Sequence, residues 1–179
     1  MTVTEILEGL RRHLPGLKLE ELKKEKGDPW IEVAPANILR VLQCLRDDLD
    51  FTYLACLTGF DEGSGFGVAY HLRSLTAKSL VTIRTKLPRE NPSVASATSL
   101  FAAANWFERE TFDLLGIGFE NHPDLRRLLM PDDWIGHPLR KDYQPPGEYH
   151  GLSTERPDAH TVLDPLYPQQ EEKGSAETA

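Results

Sequence analysis

Three acidic side chains and one arginine lie close together between residues 108 and 113. They are Glu108, Arg109, Glu110 and Asp113. Two neighbouring carboxylates can act as the general acid and general base of an enzyme. The same residue types also form structural ion-pair networks, which mimic active sites. We favour an ion-pair network around Arg109, because the sequence does not place a second carboxylate across a cleft.

A helical projection of this stretch mixes charged and aromatic residues around the whole helix. One side carries Trp106, Arg109, Glu110 and Asp113, and the opposite side carries Glu108, Phe112 and Leu115. A simple surface helix would separate polar from apolar residues. The pattern indicates a helix that is packed on two sides and whose charges are neutralised by partners.

Two His-Pro turns with basic residues follow this helix. The first is His122-Pro123 and leads to Arg126-Arg127, and the second is His137-Pro138 and leads to Arg140-Lys141, two residues before Tyr143. Arginine can clamp a carboxylate with two parallel hydrogen bonds. We expect both turns to direct cations at carboxylates, either on the Glu110 helix or on a neighbouring chain. Exposed basic loops are the alternative, especially for the second turn.

Other chemistries lack the residues that they need. None of the six histidines is spaced for a zinc or di-iron site on a helix. The two cysteines, Cys44 and Cys56, lie in apolar stretches and fit no metal or redox motif. The glycine-rich stretch 59–67 has no lysine and leads into a strand, so it indicates a hairpin tip and not a phosphate loop.

The remaining patterns predict the elements that hold this cluster. Helices are expected from Glu5 to His13 with Thr4 as the cap, from Pro35 through Leu45, and from Ser93 or Ser96 to Leu115, as one helix or two, ending at Gly116. A hairpin is expected around Gly27-Asp28-Pro29, and three antiparallel strands over 51–60, 66–74 and 79–87. The predicted fold is α+β, an antiparallel or mixed sheet with helices packed on one face.

Composition divides the chain into three predicted regions. Residues 1–118 form the α+β domain, residues 119–168 form an extended, proline-rich, partner-binding arm, and residues 169–179 form a disordered tail. The net charge is −8, which argues against nucleic-acid binding. No apolar run approaches the length of a membrane span, so contact with a membrane is expected only through partner proteins.

The cluster and both turns resemble the C subunit of NADH-quinone oxidoreductase, the respiratory complex I family. The residues that carry the resemblance are Glu108–Ile117, His122–Leu129 and Gly136–Tyr143. The shared pattern is Glu-Arg-Glu, an acid three residues after the second glutamate, two apolar residues, a spaced histidine and then arginine. The similarity extends loosely over residues 1 to about 150.

The resemblance implies a non-catalytic structural subunit of the peripheral arm of a proton-translocating enzyme. It implies that the chain packs on the large quinone-site subunit and its cluster-bearing neighbours and supports electron transfer from NADH to quinone. Flavin, iron–sulfur clusters and quinone are expected in partner subunits and none in this chain, which is expected to be inactive in isolation. The expected location is the cytoplasmic side of the cell inner membrane, as a peripheral protein.

Carried over residue by residue, the matching positions have structural or interface roles, and none is catalytic or binds metal. They are Trp106, Glu108, Arg109, Glu110, Asp113, His122, Arg126, His137, Arg140, Lys141 and Tyr143. Two alternatives stay open. One is the equivalent subunit of a membrane-bound hydrogenase or another quinone-linked dehydrogenase, and the other is a stand-alone carboxylate enzyme centred on Glu110 and Asp113.

Overall fold

The computed structural model describes residues 2–22 and 29–154. Its first helix, α1 (Val3–His13), begins with a capping box at Thr2. The Thr2 hydroxyl accepts a hydrogen bond from the Glu5 amide, and the Glu5 carboxylate accepts one from the Thr2 amide. The prediction of Thr4 as the cap was therefore wrong by two residues. The reciprocal pair at Thr2 satisfies two amide donors, and Thr4 lies within the first turn.

A five-stranded mixed sheet forms the centre of the fold. Its strands are β1 (Glu20–Leu22), β2 (Trp30–Glu32), β3 (Tyr53–Asp61), β4 (Gly65–Ser74) and β5 (Ser79–Pro88), in the spatial order β1-β2-β5-β4-β3. All neighbours are antiparallel except β2 and β5, which are parallel. The predicted antiparallel pair around Trp30 is confirmed, whereas the turn predicted at Gly27-Asp28 lies outside the described residues.

The helices and one face of the sheet share a single apolar core. Helix α2 (Ile38–Asp47) follows a short 3-10 turn at Pro35–Asn37 and buries Val41, Leu42 and Leu45. From the sheet, the core receives Val68, Tyr70, Leu72, Val81 and Ile83, which alternate with residues of the opposite face. The predicted α+β class is confirmed.

The segment before the third helix differs from its prediction. Ser93–Ala95 is a strand, β6, and pairs in parallel with β7 (Gly118–Glu120), while helix α3 spans Ala104–Leu115. The expected helix start at Ser93 or Ser96 was wrong, because strand pairing with a segment more than twenty residues away competes with local helix formation. Gly116 ends α3 with φ 69°, as predicted.

Helix α3 lies against β3 at a glycine. A Cβ atom on Gly59 would come within 2.6 Å of Thr111 Cγ2 and 2.7 Å of Leu115 Cδ1, so the absent side chain allows the close approach. The contact places the charged stretch of α3 beside an edge strand of the sheet. Within residues 121–147 the structure contains no helix or strand, and we call residues 121–143 the turn segment.

The contacts of the chain divide it into a unit that ends at Gln144 and a unit that begins at Pro145. In the second unit, β8 (Glu148–Tyr149) and β9 (Leu152–Ser153) form a hairpin with a two-residue loop. The loop residues, His150 and Gly151, both have positive φ. The predicted division into a domain and an arm over residues 119–168 stays a prediction. The part of the arm beyond Thr154 and the predicted disordered tail lie outside the described residues.

Candidate functional site

Asp113 holds one turn of the chain through four hydrogen bonds. Its side chain is fully buried. One carboxylate oxygen accepts from the amides of Leu128, Leu129 and Met130 at 3.0, 2.7 and 2.8 Å, and the other accepts from Arg127 Nη1 at 3.0 Å. Burial raises the pKa of Asp113, but the four donors outweigh it and the net pKa is lowered.

Arg109 binds the same turn from one helical turn earlier on α3. Its Nε donates to the Arg126 carbonyl at 3.2 Å and its Nη2 donates to the Arg127 carbonyl at 3.0 Å. Its guanidinium lies 5.3 Å from the centre of the Trp106 ring. The expected ion-pair network around Arg109 was therefore wrong in its centre, because the carbonyls of residues 126 and 127 lie against Arg109 and take its donors. The ion pair in this network joins Asp113 to Arg127.

The second His-Pro turn binds the C-terminal end of α3. Nδ1 of His137 is 2.8 Å from the Asp113 carbonyl, and Arg140 Nε donates to the Leu115 carbonyl at 2.7 Å. The last carbonyls of a helix lack partners inside the helix and favour cations. The expectation that this turn directs cations at carboxylates was wrong for Arg140, since open helix carbonyls compete for the same donor. Burial lowers the pKa of His137.

The end of the turn segment is fixed at Asp61, the last residue of β3. Its carboxylate accepts from the Lys141 amide at 2.9 Å, the Gly63 amide at 2.7 Å and Arg89 Nη1 at 2.7 Å. Burial raises the pKa of Asp61, but these donors outweigh it and lower the pKa to about 2. Lys141 thus acts here through its backbone. Arg89 also pairs with Asp142 at 2.6 Å.

Glu108 lies on the opposite face of α3 in a different environment. It is fully buried and accepts from Ser96 Oγ at 2.6 Å and from the Ala97 amide at 2.7 Å. Burial raises its pKa to about 7, against the effect of these two donors. The His122 ring lies 4.0 Å away and bridges the Asp124 amide and the Asn105 carbonyl. Glu108 therefore holds the segment before α3.

The remaining predicted site residues reach the surface. Glu110 and Trp106 are exposed on α3, and Arg126 pairs with Asp124 at 3.0 Å in an exposed ion pair. Tyr143 is half-buried and its ring contacts Gly136. Because Asp113 is sealed and Glu110 is exposed, the two carboxylates do not open to a common cleft.

Two residues that complete this network, Asp61 and Arg89, were not singled out from the sequence. Arg127 belongs to the first His-Pro turn, and the expectation that this turn directs a cation at a carboxylate of the Glu110 helix is confirmed by its ion pair with Asp113. The Asp-x-Gly pattern at Asp61 was a usable signal, because an aspartate often accepts from the amide two residues later. No local pattern in the sequence indicates which arginine of the pair Arg126-Arg127 turns inward.

The described residues contain no group of three or more His, Cys, Asp or Glu side chains arranged to hold a metal ion. Nor does any helix within residues 2–22 and 29–154 have the length and apolar character needed to cross a bilayer.

Two solved structures share the fold of this chain. A trypsin-resistant fragment of Nqo5 superposes with a TM-score of 0.58 at 30% identity, covering 70% of this chain and 100% of the fragment. A chain of an archaeal respiratory membrane complex, the membrane-bound sulfane sulfur reductase, has a TM-score of 0.65 over 79% of this chain and 85% of that chain. At 20% identity, the second likeness shows the fold alone.

Sequence relatives specify the family. The C subunit of NADH-quinone oxidoreductase from Citrifermentans bemidjiense is 46% identical over 121 residues, which are 66% of this chain and 75% of the relative. The same subunit from a Roseiflexus strain is 46% identical over 142 residues, 76% and 81% of the two chains. The family of 30 kDa subunits of respiratory-chain NADH dehydrogenase matches residues 31–149, and the chain belongs to this family.

Proposed function

We propose that this chain is a non-catalytic structural subunit in the peripheral arm of a proton-translocating NADH:quinone oxidoreductase. In this role it packs on the large subunit near the quinone site, on the cytoplasmic side of the cell inner membrane, and contacts the membrane only through its partners. It supports electron transfer from NADH to quinone without carrying electrons. Flavin, iron–sulfur clusters and quinone belong to the partner subunits.

The observation that carries this proposal is the use of the motif charges inside the chain. Arg109 and Asp113 hold residues 126–130, and Arg140 holds the end of α3. A catalytic acid or base must reach a substrate. Both Asp113 carboxylate oxygens are occupied in a fully buried site, which favours a structural role over the alternative carboxylate enzyme.

The surface left by this network has the character of an interface. Of eight large apolar side chains exposed in the described residues, four lie on α3 or the turn segment, namely Trp106, Leu129, Ile135 and Leu139. Exposed aromatic and aliphatic groups near charged side chains are typical of protein–protein contacts. This supports partner subunits as the ligands of this region.

The cysteine count supports the assignment of clusters to other chains. An iron–sulfur cluster is commonly held by about four thiolates. This chain has two cysteines, of which Cys44 is buried on α2 and Cys56 is half-buried on β3. Burial raises the pKa of the Cys44 thiol to about 12, which disfavours the thiolate that ligates metal.

A second candidate is the equivalent subunit of another respiratory complex, such as a membrane-bound hydrogenase. The fold shared with a chain of the sulfane sulfur reductase complex is the observation that favours it. The two candidates differ in electron donor and partner chains, while the expected role of this chain is the same.

Co-purification from the producing cells tests both candidates. A tagged chain is isolated from detergent extracts, its partners are identified by mass spectrometry, and NADH:quinone activity is measured in the eluate. We expect the other NADH dehydrogenase subunits and activity, and no turnover by the purified chain alone. Hydrogenase partners would select the second candidate. Turnover by the isolated chain, or stoichiometric metal held at Glu110, would contradict both.

A further inference from the structure

Glu110 differs from the other charged residues of its motif. Glu108, Arg109 and Asp113 each make at least two hydrogen bonds within the chain. The Glu110 side chain is exposed, and its carboxylate has no hydrogen bond or ion pair in the described ranges. A solvated surface glutamate is ordinary by itself, so the surroundings of Glu110 decide whether it has a role.

Glu110 borders a groove between α3 and β3 whose other walls are mainly apolar. Phe107 and Leu114 line it from α3, Cys56 lines it from β3, and Leu139 of the turn segment borders it as well. Its volume is about 130 Å³. This is close to the size of a cavity of ~150 Å³ that admits a benzene ring, and one large apolar side chain can occupy it.

The strand that forms one wall of the groove, β3, lies at one edge of the five-stranded sheet. β3 is the terminal strand of the five-stranded sheet, so its outer side has no strand neighbour in the described parts of the chain. Exposed edge strands are usually protected by lysine, proline or bulges. β3 has a bulge between Leu54 and Cys56, but the strand contains no lysine, arginine or proline. Such an edge is suited to being covered by another polypeptide.

We propose that this groove binds a segment of a partner subunit that carries a large apolar side chain next to an arginine or lysine. The apolar side chain fills the groove beside Phe107 and Leu139, and the cation pairs with Glu110. The inference rests on the proposed function, since it assigns the partner's chemistry to one surface of the subunit.

The negative charge of Glu110 and of the whole chain determines which occupant the groove favours. A carboxylate that is covered by an apolar partner loses its water and needs a cation in return. A second copy of this chain is a poor occupant, because each copy has a net charge of −8 and two copies repel one another. A basic segment of another subunit satisfies both conditions.

Charge and apolar variants in the assembled complex test the groove. Glu110→Lys is compared with Glu8→Lys, since both glutamates are exposed on helices, and Leu139→Asp is compared with Leu75→Asp, since these leucines are 59% and 62% exposed. The ratio of this chain to the other subunits is measured on native gels. We expect Glu110→Lys and Leu139→Asp to lower it by roughly tenfold, Glu110→Gln to lower it less, and both controls to change it less than about twofold.

Thermal unfolding of the isolated variants excludes misfolding as the cause. Because both side chains are exposed, we expect the melting temperatures to match that of the unmodified chain. An equal loss in Glu110→Lys and Glu8→Lys, or no loss in Glu110→Lys, overturns the inference. If the unmodified chain does not co-purify with the complex at all, the proposed function fails, and the groove assignment with it.

Photo-crosslinking identifies the occupant directly. A benzophenone amino acid is placed at Thr58, an exposed residue that lines the groove, in the full complex. We expect a crosslinked peptide from another subunit with arginine or lysine within two positions of a large apolar residue. A crosslink to a second copy of this chain, a crosslink to an acidic peptide, or no crosslink overturns the inference.

Discussion

The sheet with its helices and the turn segment are held by different forces, although both belong to the unit that ends at Gln144. The sheet layer buries aliphatic side chains such as Leu42, Leu72 and Ile83 in one core. The turn segment has no regular backbone ladder and leaves Leu129, Ile135 and Leu139 exposed. It is fixed by hydrogen bonds to a few charged groups.

This difference shows how an irregular segment acquires a defined shape. An apolar core is stabilised by many small contacts that its residues share, whereas each charged group here satisfies several backbone donors or acceptors at once. Asp113 alone accepts three consecutive amides. Loss of one such group should therefore release a stretch of chain, whereas loss of one core side chain should weaken the whole sheet layer.

Removal of the Asp113 carboxylate is the strongest test of this comparison. Asp113→Ala leaves Arg127 and three amides without their acceptor, which costs about 3–5 kcal/mol for breaking a buried pair. We expect trypsin to cut after Arg126 or Arg127 while the circular dichroism of the sheet persists. Limited proteolysis followed by mass spectrometry locates the cut, and uniform digestion without a preferred site would contradict the distinction.

Truncation of a core side chain is the corresponding test for the sheet layer. Leu42→Ala removes a fully buried side chain on α2 and should lower the free energy of unfolding by about 2–5 kcal/mol. Urea unfolding followed by fluorescence and by circular dichroism should show one lowered transition in both signals. Selective cleavage near Arg126 in this variant would mean that the two regions are not independently held.

The two buried carboxylates of α3 predict opposite responses to pH. The pKa of Glu108 is raised from 4.5 to about 7, so its protonated form is favoured in the folded state and stability falls as pH rises from about 4.5 to 7. The loss is about 3 kcal/mol. Asp113 has a lowered pKa, so its contribution is present above its ordinary value of 3.8 and is lost as pH falls below it.

Glu108→Gln isolates the first response. The amide keeps the shape of the neutral carboxyl group and does not titrate, so the variant should gain stability relative to the unmodified chain between pH 4.5 and 7. Urea titrations at a series of pH values measure this difference. A difference that is constant across this range would show that Glu108 does not titrate there.

Arg126→Ala should have the smallest effect on stability. Its ion pair with Asp124 is exposed, with the Arg126 side chain 71% accessible, so we expect a change below about 1 kcal/mol. If the proposed function holds, the variant reduces assembly of the complex more than turnover per assembled complex. Unfolding curves and native-gel quantification separate the two effects, and normal assembly with lost turnover would contradict the structural role.

Much of the sheet layer could be predicted from the sequence because local patterns determine it. The alternation of Val81 and Ile83 with polar residues indicates a half-buried strand, and Gly116 after Leu115 indicates a helix end. These signals depend on side chains within a few residues of one another. Such local signals did not predict the start of α3. The residues expected to begin it form β6 instead, which is stabilised by pairing with the distant strand β7.

The candidate site was predicted as a set of residues and not as a set of contacts. The spacing of Glu108, Arg109 and Asp113 indicated a helix packed on two sides, and this is what the structure has. The sequence could not say that Arg109 binds carbonyls, or that Arg127 and not Arg126 pairs with Asp113. Those partners depend on where the turn segment passes α3.

The sequence by itself determined the class of the fold, the sheet strands, the acid–arginine motif on a helix and the resemblance to a family. Tertiary structure decided which charges are buried, because burial depends on segments that are distant in sequence. Glu108 and Glu110 are two residues apart on one helix, yet one is sealed against Ser96 and the other faces an open groove. Helical periodicity puts them on different faces, and only the packing of β3 and residues 96–97 gives each face its environment.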